Sequence, residues 1–300
     1  MNTDRHYHKL KNIYQVSGLS KQSHMQYMNR RAGDEEVERI VLSSILEIRQ
    51  MHNMMGLKKI YSLLSPDRIG RDRFIRIGVE NGLGIKLIKS FHRTTFSTKS
   101  AWFGNLTVDL PITGINQVWV SDITYFRVGE TFYYLTFIVD VYSRRILGYI
   151  ASPNMRAEAN CTALKAAFSE RAESSLTGLI HHSDKGSQYT SDMYLKLLSQ
   201  NQIKVSMCNS VYENTHMERV NGIIKYEYLH QKSIKSFKDL QKELKRAVWL
   251  YNEERPHWKL KLMPPARYED YLCKIAIELR EVMILYSEPK KYYVQQSIFN

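Results

Sequence analysis

This sequence predicts an α/β fold, a mixed sheet flanked by helices and preceded by a small all-helical unit. Three observations predict it. Apolar residues recur at helical spacing from Asp34 to Leu83. From Asn116 the period falls to two, in strand-like runs joined by short turns. Helix and strand then alternate to Met207, which calls for a sheet covered by helices. A chain of 300 residues can build one large or two modest cores, and its 43% hydrophobic content makes it globular.

Residues 1–34 read as a polar, basic extension with a short helix starting near Leu19-Ser20-Lys21-Gln22 and carrying Met25 and Met28. Residues 35–84 carry one apolar stripe from Val37 to Ile48 and another from Leu57 to Leu64. A break at Ser65-Pro66-Asp67 precedes a third helix, Arg71 to Glu80. Short helices around a tight turn suit a helix-turn-helix, and Arg71, Arg73 and Arg76 are its expected contacts to phosphates or guanine edges. A helical domain with a solvated basic face is the competing reading. Residues 85–115 read as a basic linker, with Lys86, Lys89, Arg93 and Lys99.

Residues 116–232 hold the predicted sheet. Its strands are Gln117–Phe126, Phe132–Val141, Arg145–Ala151, a run ending near Asp184, and Ile203–Met207, with helices Arg156–Arg171 and Asp192–Gln200 between the later ones. Residues 233–300 form a C-terminal helical region. Phe237, Leu240, Leu244 and Val248 give it a buried stripe, and Pro256 stops that helix.

The formal net charge of +13 points to a polyanionic partner, nucleic acid before an acidic membrane. Cys161, Cys208 and Cys273 are odd in number and far apart. That argues against a disulfide framework and a cysteine-rich zinc site, and fits a reducing compartment. No apolar run approaches a membrane span or a signal segment, so the expected location is the cytoplasm.

Three carboxylates stand out. By the period of two, Val118, Val120, Asp122 and Thr124 share a strand face, so Asp122 lies among apolar neighbours and needs a partner or a metal. Asp184 follows the apolar Leu179-Ile180, where a strand gives way to a loop. Glu218 lies at the start of a helix, with Arg219 beside it and Lys225 seven residues on. Plain structural roles compete: a backbone-bonded Asp122, a turn at Asp184, a capping-box Glu218. His182 reads as a packed histidine, and Gly222 suggests close approach of another backbone or of DNA. Brought together, three carboxylates would repel and take up protons unless cations bind, and oxygen ligands suit Mg²⁺.

In order along the chain stand Trp119-Val120-Ser121-Asp122-Ile123-Thr124-Tyr125, Val139-Asp140-Val141-Tyr142-Ser143-Arg144, His182-Ser183-Asp184-Lys185-Gly186-Ser187-Gln188-Tyr189-Thr190-Ser191, Met217-Glu218-Arg219 with Lys225, and Tyr251-Asn252 through Arg255-Pro256-His257. This series resembles the transposases of the third-numbered insertion-sequence family, whose core is like a retroviral integrase. The resemblance spans residues 36–270 and implies a ribonuclease H-like fold of five strands and an upstream helix-turn-helix. It implies a DDE triad of Asp122, Asp184 and Glu218 holding two Mg²⁺ ions, with Mn²⁺ able to substitute, and phosphate contacts from Lys185, Arg219 and Lys225. The interval from Asp184 to Glu218 is slightly short for the family, which leaves Glu213 as an alternative third ligand. The implied activity is DNA cleavage and strand transfer at element ends by an oligomer assembled on double-stranded DNA, by a copy-out, paste-in route, in a bacterial, nucleoid-associated setting. A decayed transposase acting as a repressor and a simple metal-dependent nuclease are the other function classes.

Overall fold

The computed structural model describes residues 14, 16–85, 103–208 and 215–287. Most of the basic linker and the loop containing Glu213 therefore lie outside the described residues. The chain divides into two compact units, residues 1–51 with 56–85, and residues 52–55 with 86–300.

The first unit is helical: α1 (Lys21–Met51), α2 (Leu57–Leu64) and α3 (Arg71–Glu80). The short N-terminal helix expected from the sequence is instead the beginning of α1, which runs unbroken for 31 residues. Ser20 starts it, its hydroxyl accepting the Ser23 N–H at 3.0 Å. Gly33 and Asp34 lower helix propensity but do not stop the helix, because a single glycine costs only about 1 kcal/mol. Val41 and Ile45 of α1, Leu57 and Ile60 of α2, and Phe74 and Ile77 of α3 form its buried core. Ser65, in a left-handed conformation (φ 42°), ends α2 ahead of Pro66.

The second unit is built on a five-stranded sheet. Its strands are β2 (Val118–Val128), β3 (Thr131–Asp140), β4 (Ile146–Ser152), β5 (Ile180–Ser183) and β6 (Lys204–Met207), in the order β4-β3-β2-β5-β6. The first three form an antiparallel meander, and β5 and β6 add in parallel to β2. This is the mixed ribonuclease H-like sheet that the motifs imply. Helices α4 (Ala157–Glu170) and α5 (Asp192–Gln200) supply the crossovers that parallel pairing requires. Two apolar clusters separate by strand parity. Trp119, Ile138 and Leu147 pack with Ala163 and Leu164 of α4 and Tyr194 of α5. Val118, Val120, Phe137 and Val139 belong to a cluster with residues of the C-terminal helices.

Those helices are α6 (Thr215–Gly222), a π-helical continuation Ile223–Leu229, α7 (Phe237–Glu253) and α8 (Pro265–Leu272). The expected single helix through Lys225 thus widens after Gly222, with the His230 N–H bonding the Lys225 carbonyl. A Cβ on Gly222 would meet only the Tyr226 ring at 4.0 Å, so no described backbone crowds it, and of the two expected approaches only that of DNA is left. The crowded glycine is Gly148 of β4, where a Cβ would lie 2.0 Å from the Ala163 carbonyl oxygen. That absent side chain lets α4 lie directly on the sheet.

Asn252 of α7 closes the outer edge of the sheet. Its side-chain amide accepts the Ile146 N–H at 3.0 Å and donates to the Ile146 carbonyl at 2.9 Å. Beyond α8 the chain returns, pairing β7 (Met283–Ile284) antiparallel with β1 (Pro111–Ile112).

Gly148→Ala should lower stability by about 1–3 kcal/mol, the usual cost of overpacking. Thermal unfolding measures this, and an unchanged midpoint would mean that α4 does not rest on β4 at this point.

Candidate active site

The parallel pairing of β2 with β5 sets the site. Val120 pairs with His182. Two residues further along each chain stand Asp122 and Asp184, the latter one residue past the end of β5. Side chains two residues apart leave the same face of a strand. Both carboxylates therefore project from one face, at one level, on neighbouring strands.

Burial pushes the Asp122 carboxyl up to about 7, and the charge of Asp184 adds to that. Hydrogen bonds from the Asn221 side chain and the Ile123 backbone oppose the rise, and Glu218 contributes a further, smaller push upward. Asn221 Nδ2 donates to Asp122 Oδ2 at 2.7 Å. Burial also raises Asp184, partly offset by the Gly186 N–H, which donates to Asp184 Oδ1 at 3.0 Å. A Cβ on Gly186 would sit 3.0 Å from that same oxygen, so the glycine keeps this turn open beneath the carboxylate.

Helix α6 covers the Asp122 face through buried Met217 and Val220. Glu218 is exposed, and its charge reaches Asp122. Among the described residues no three side chains of His, Cys, Asp or Glu stand close enough to hold a metal ion together. The structure thus couples Asp122 with Asp184 and leaves Glu218 outside a closed cluster. Lys225 meets β2 two residues along from Asp122: Nζ donates to Thr124 Oγ1 at 3.2 Å and lies 4.7 Å from the centre of the Tyr125 ring. Burial lowers its pKa, and the Asp122 charge opposes that. Lys185 is half-buried beside Asp184, and Arg219 is exposed beside Glu218.

His182 is a packed histidine, its ring bonded to Ser206 Oγ at 2.9 Å and Cys208 Sγ at 3.1 Å. In the helical unit, Arg71 pairs with Asp72 at 3.0 Å and Arg73 with Asp34 at 2.5 Å. Arg76 is exposed. The sequence reading missed Asn221. Its signal was available: it lies three residues after Glu218, one helical step along the same side.

Residues 113–211 match the integrase core domain family, and residues 200–265 match a second family of the same description. A transposase for insertion sequence element IS629 of Shigella sonnei is 32% identical over 229 residues, covering 73% of this chain and 74% of the relative. An insertion element IS600 uncharacterized 31 kDa protein, also of Shigella sonnei, is 30% identical over 271 residues, covering 87% of this chain and 99% of that one. The chain belongs to the insertion-sequence transposases with an integrase core. Among solved structures, the HTLV-2 integrase catalytic core domain in complex with magnesium overlaps this transposase with a TM-score of 0.43 at 19% identity, covering 55% of this chain and 99% of that one. Among the described residues of the transposase, no helix is long and apolar enough to cross a membrane.

The Asp122 carboxyl, at about 7 when folded, stands above its ordinary 3.8, so its ionisation opposes folding. The stability it lends is complete below 3.8 and is lost as pH rises through about 7. In EDTA, Asp122→Asn should raise the thermal midpoint by several degrees at pH 8 and change it little at pH 4. A midpoint at pH 8 no higher than that of the unaltered protein would contradict the burial of this charge.

Proposed function

We propose that this transposase catalyses metal-dependent cleavage and strand transfer of DNA at the ends of an insertion sequence, as a DDE-type polynucleotidyl transferase. The observation that carries the reading is the Asp122–Asp184 pair: two carboxylates on adjacent parallel strands, one held well above its ordinary pKa partly by the other. This donor set fits a hard divalent cation, because it offers oxygen ligands whose mutual repulsion a cation would relieve. Asp122, Asp184 and Glu218 are the proposed ligands. Bound there, two Mg²⁺ ions, or Mn²⁺ in their place, would supply activation of the attacking hydroxyl and stabilisation of the leaving oxygen.

The chain's own groups orient the pieces. The Asn221 amide fixes one oxygen of Asp122, and the Gly186 N–H fixes one oxygen of Asp184. Lys225, held beside Thr124, together with Lys185 and Arg219, positions backbone phosphates. No covalent enzyme intermediate is needed, so no serine or tyrosine nucleophile is assigned. In the helical unit α2 and α3 act as a helix-turn-helix, with Arg71, Arg73 and Arg76 on α3 directed to DNA. Joining two ends calls for a homo-oligomer on double-stranded DNA, and that substrate places the working enzyme at the nucleoid in the cytoplasm.

A non-catalytic DNA-binding repressor is the second reading, favoured by the exposed position of Glu218. Incubation with Mg²⁺ or Mn²⁺ and oligonucleotides carrying the element's terminal repeats separates the two. Strand transfer gives joined products that Asp122→Asn, Asp184→Asn and Glu218→Gln abolish while binding persists. Glu213→Gln, at the alternative third ligand, should leave joining intact. Bound but uncut DNA would establish the repressor, and indiscriminate cutting a simple nuclease.

Arg76→Ala should weaken binding to terminal-repeat DNA about ten-fold, in line with a contact worth about 1–3 kcal/mol, without moving the thermal midpoint. Arg71→Ala should cost less, since Asp72 already engages that guanidinium. Equal affinities for Arg76→Ala and unaltered protein in a filter or anisotropy titration would remove α3 from recognition.

A further inference from the structure

The outward face of α7 carries a row of lysines that takes no part in holding the fold together. Lys238, Lys242 and Lys245 follow one another at spacings of four and three, and Trp249 comes four residues later. Those spacings keep the four side chains on one line along the helix. All four are exposed, while the opposite side of α7 is the buried stripe of Leu240, Leu244, Ala247 and Val248. Among the described residues none of the three lysines makes a hydrogen bond or a salt bridge. The acids of the helix are engaged elsewhere. Asp239 accepts the Lys235 N–H at 3.2 Å, and Glu243 is half-buried, 4.0 Å from Arg246.

Trp249 is a second, independent observation. It is 54% exposed, in a helix whose other large apolar side chains are turned inward. A merely solvated face has no need of an indole, a group that is normally buried or held for a partner. A partner for this row must carry negative charge and still offer apolar surface between its charges. Duplex DNA does both, since sugars and base edges lie between its phosphates. A second copy of this chain does not fit, because each copy carries a formal net charge of +13. A membrane would need an apolar helix face to insert, and that of α7 is already buried in the core.

The sheet sets this row beside the carboxylates. Phe237, at the start of α7, stacks on Tyr133 of β3 with ring centres 4.8 Å apart. Tyr133 pairs with Phe126, four residues beyond Asp122 on β2. Asn252, near the end of α7, bonds Ile146 of β4, which pairs through Val139 with Val120, two residues before Asp122. The helix therefore crosses the level of Asp122, over the same face of the sheet. From Lys238 to Trp249 the row is about 16 Å long at helical rise. Duplex DNA presents about ten phosphate charges over such a length.

We propose that Lys238, Lys242, Lys245 and Trp249 form a further DNA-binding face, which holds the backbone of the duplex as it passes the level of the Asp122–Asp184 pair. Its part in positioning DNA for joining rests on the strand-transfer reading above; the contact itself does not.

The test is the salt dependence of binding of the full chain to a short labelled duplex of arbitrary sequence, in EDTA. Lys238→Gln, Lys242→Gln and Lys245→Gln together should lower the slope of log K against log salt by about 2.7, at about 0.9 per phosphate contact, and weaken binding at least about ten-fold. Arginine at all three positions should preserve the slope. A control variant loses the same charge through Lys165→Gln, Lys196→Gln and Lys204→Gln, exposed on α4, α5 and β6, and should change the slope little. Equal slopes for the two triple variants overturn the proposal, because net charge alone would then explain any loss. Thermal midpoints confirm that the variants fold, as the exposure of all six lysines leads one to expect. Trp249→Phe should remove most of the tryptophan quenching that the duplex produces, and undiminished quenching removes Trp249 from the face. Pelleting with phosphatidylserine vesicles that depends on the three α7 lysines, beside an unchanged DNA slope, overturns the proposal in favour of a lipid surface. Strand joining with an unchanged slope in the α7 variant overturns this face alone. A lowered slope in a protein that never joins DNA overturns the strand-transfer reading alone.

Discussion

The short parallel pairing between β2 and β5 is the constraint on which the rest of the structure depends. Val118–Val120 meet Ile180–His182, and that register alone brings Asp122 level with Asp184. A slip by one residue would turn the carboxylates to opposite faces. The buried residues beneath them oppose such a slip. His181 bonds Tyr194 of α5 at 2.9 Å, while His182 bonds Ser206 and Cys208 at the neighbouring strand. These histidines carry no proposed chemistry. They lock β5 between a helix and β6, and so fix where the chain emerges as Asp184.

Helix α6 and its π-helical continuation then lay polar groups along the same face. Asn221 reaches Asp122, and Lys225 reaches Thr124. A half-buried carboxylate beside a second carboxylate is a stability cost, and among the described residues no cation pairs with it. The lysine's charge acts on Asp122 but its ammonium bonds Thr124, and the Asn221 amide brings a dipole rather than a charge. Retaining such a group is expected where function, and not stability, sets the residue.

The C-terminal helices serve this arrangement as scaffold. Arg255 forms a two-pronged pair with Glu227 at 2.8 and 2.7 Å, joining the end of α7 to the π-helical segment. Glu269 of α8 is buried with Arg171 at the end of α4 and with Arg145. Burial alone would raise the Glu269 pKa, but its hydrogen bonds and the Arg171 charge hold it below the ordinary value. The Tyr251-to-His257 stretch, which looked from the sequence like part of a functional signature, works here through Asn252 on the sheet edge and Arg255 on Glu227. Its role in the fold is mechanical: it presses the π-helical segment and α7 onto the carboxylate face.

Periodicity and composition determined a good deal by themselves. Alternation placed Asp122 on the same face as Val118 and Val120, helical stripes located α2, α3 and α7, and the positive charge called for a polyanion. The ordered motifs led to the family. These properties are local or additive, so they are written in short stretches of chain. The tertiary structure alone decided what depends on distant residues meeting. It made α1 one long helix across Gly33-Asp34, because a weak propensity penalty is overridden when Val41 and Ile45 find a core. It gave Gly148 its purpose through the approach of Ala163, and found in Asn221 the partner of an aspartate 99 positions away. It also left Glu218 exposed while Asp122 and Asp184 met, since strand register brings two like charges together but nothing in that register draws in a third.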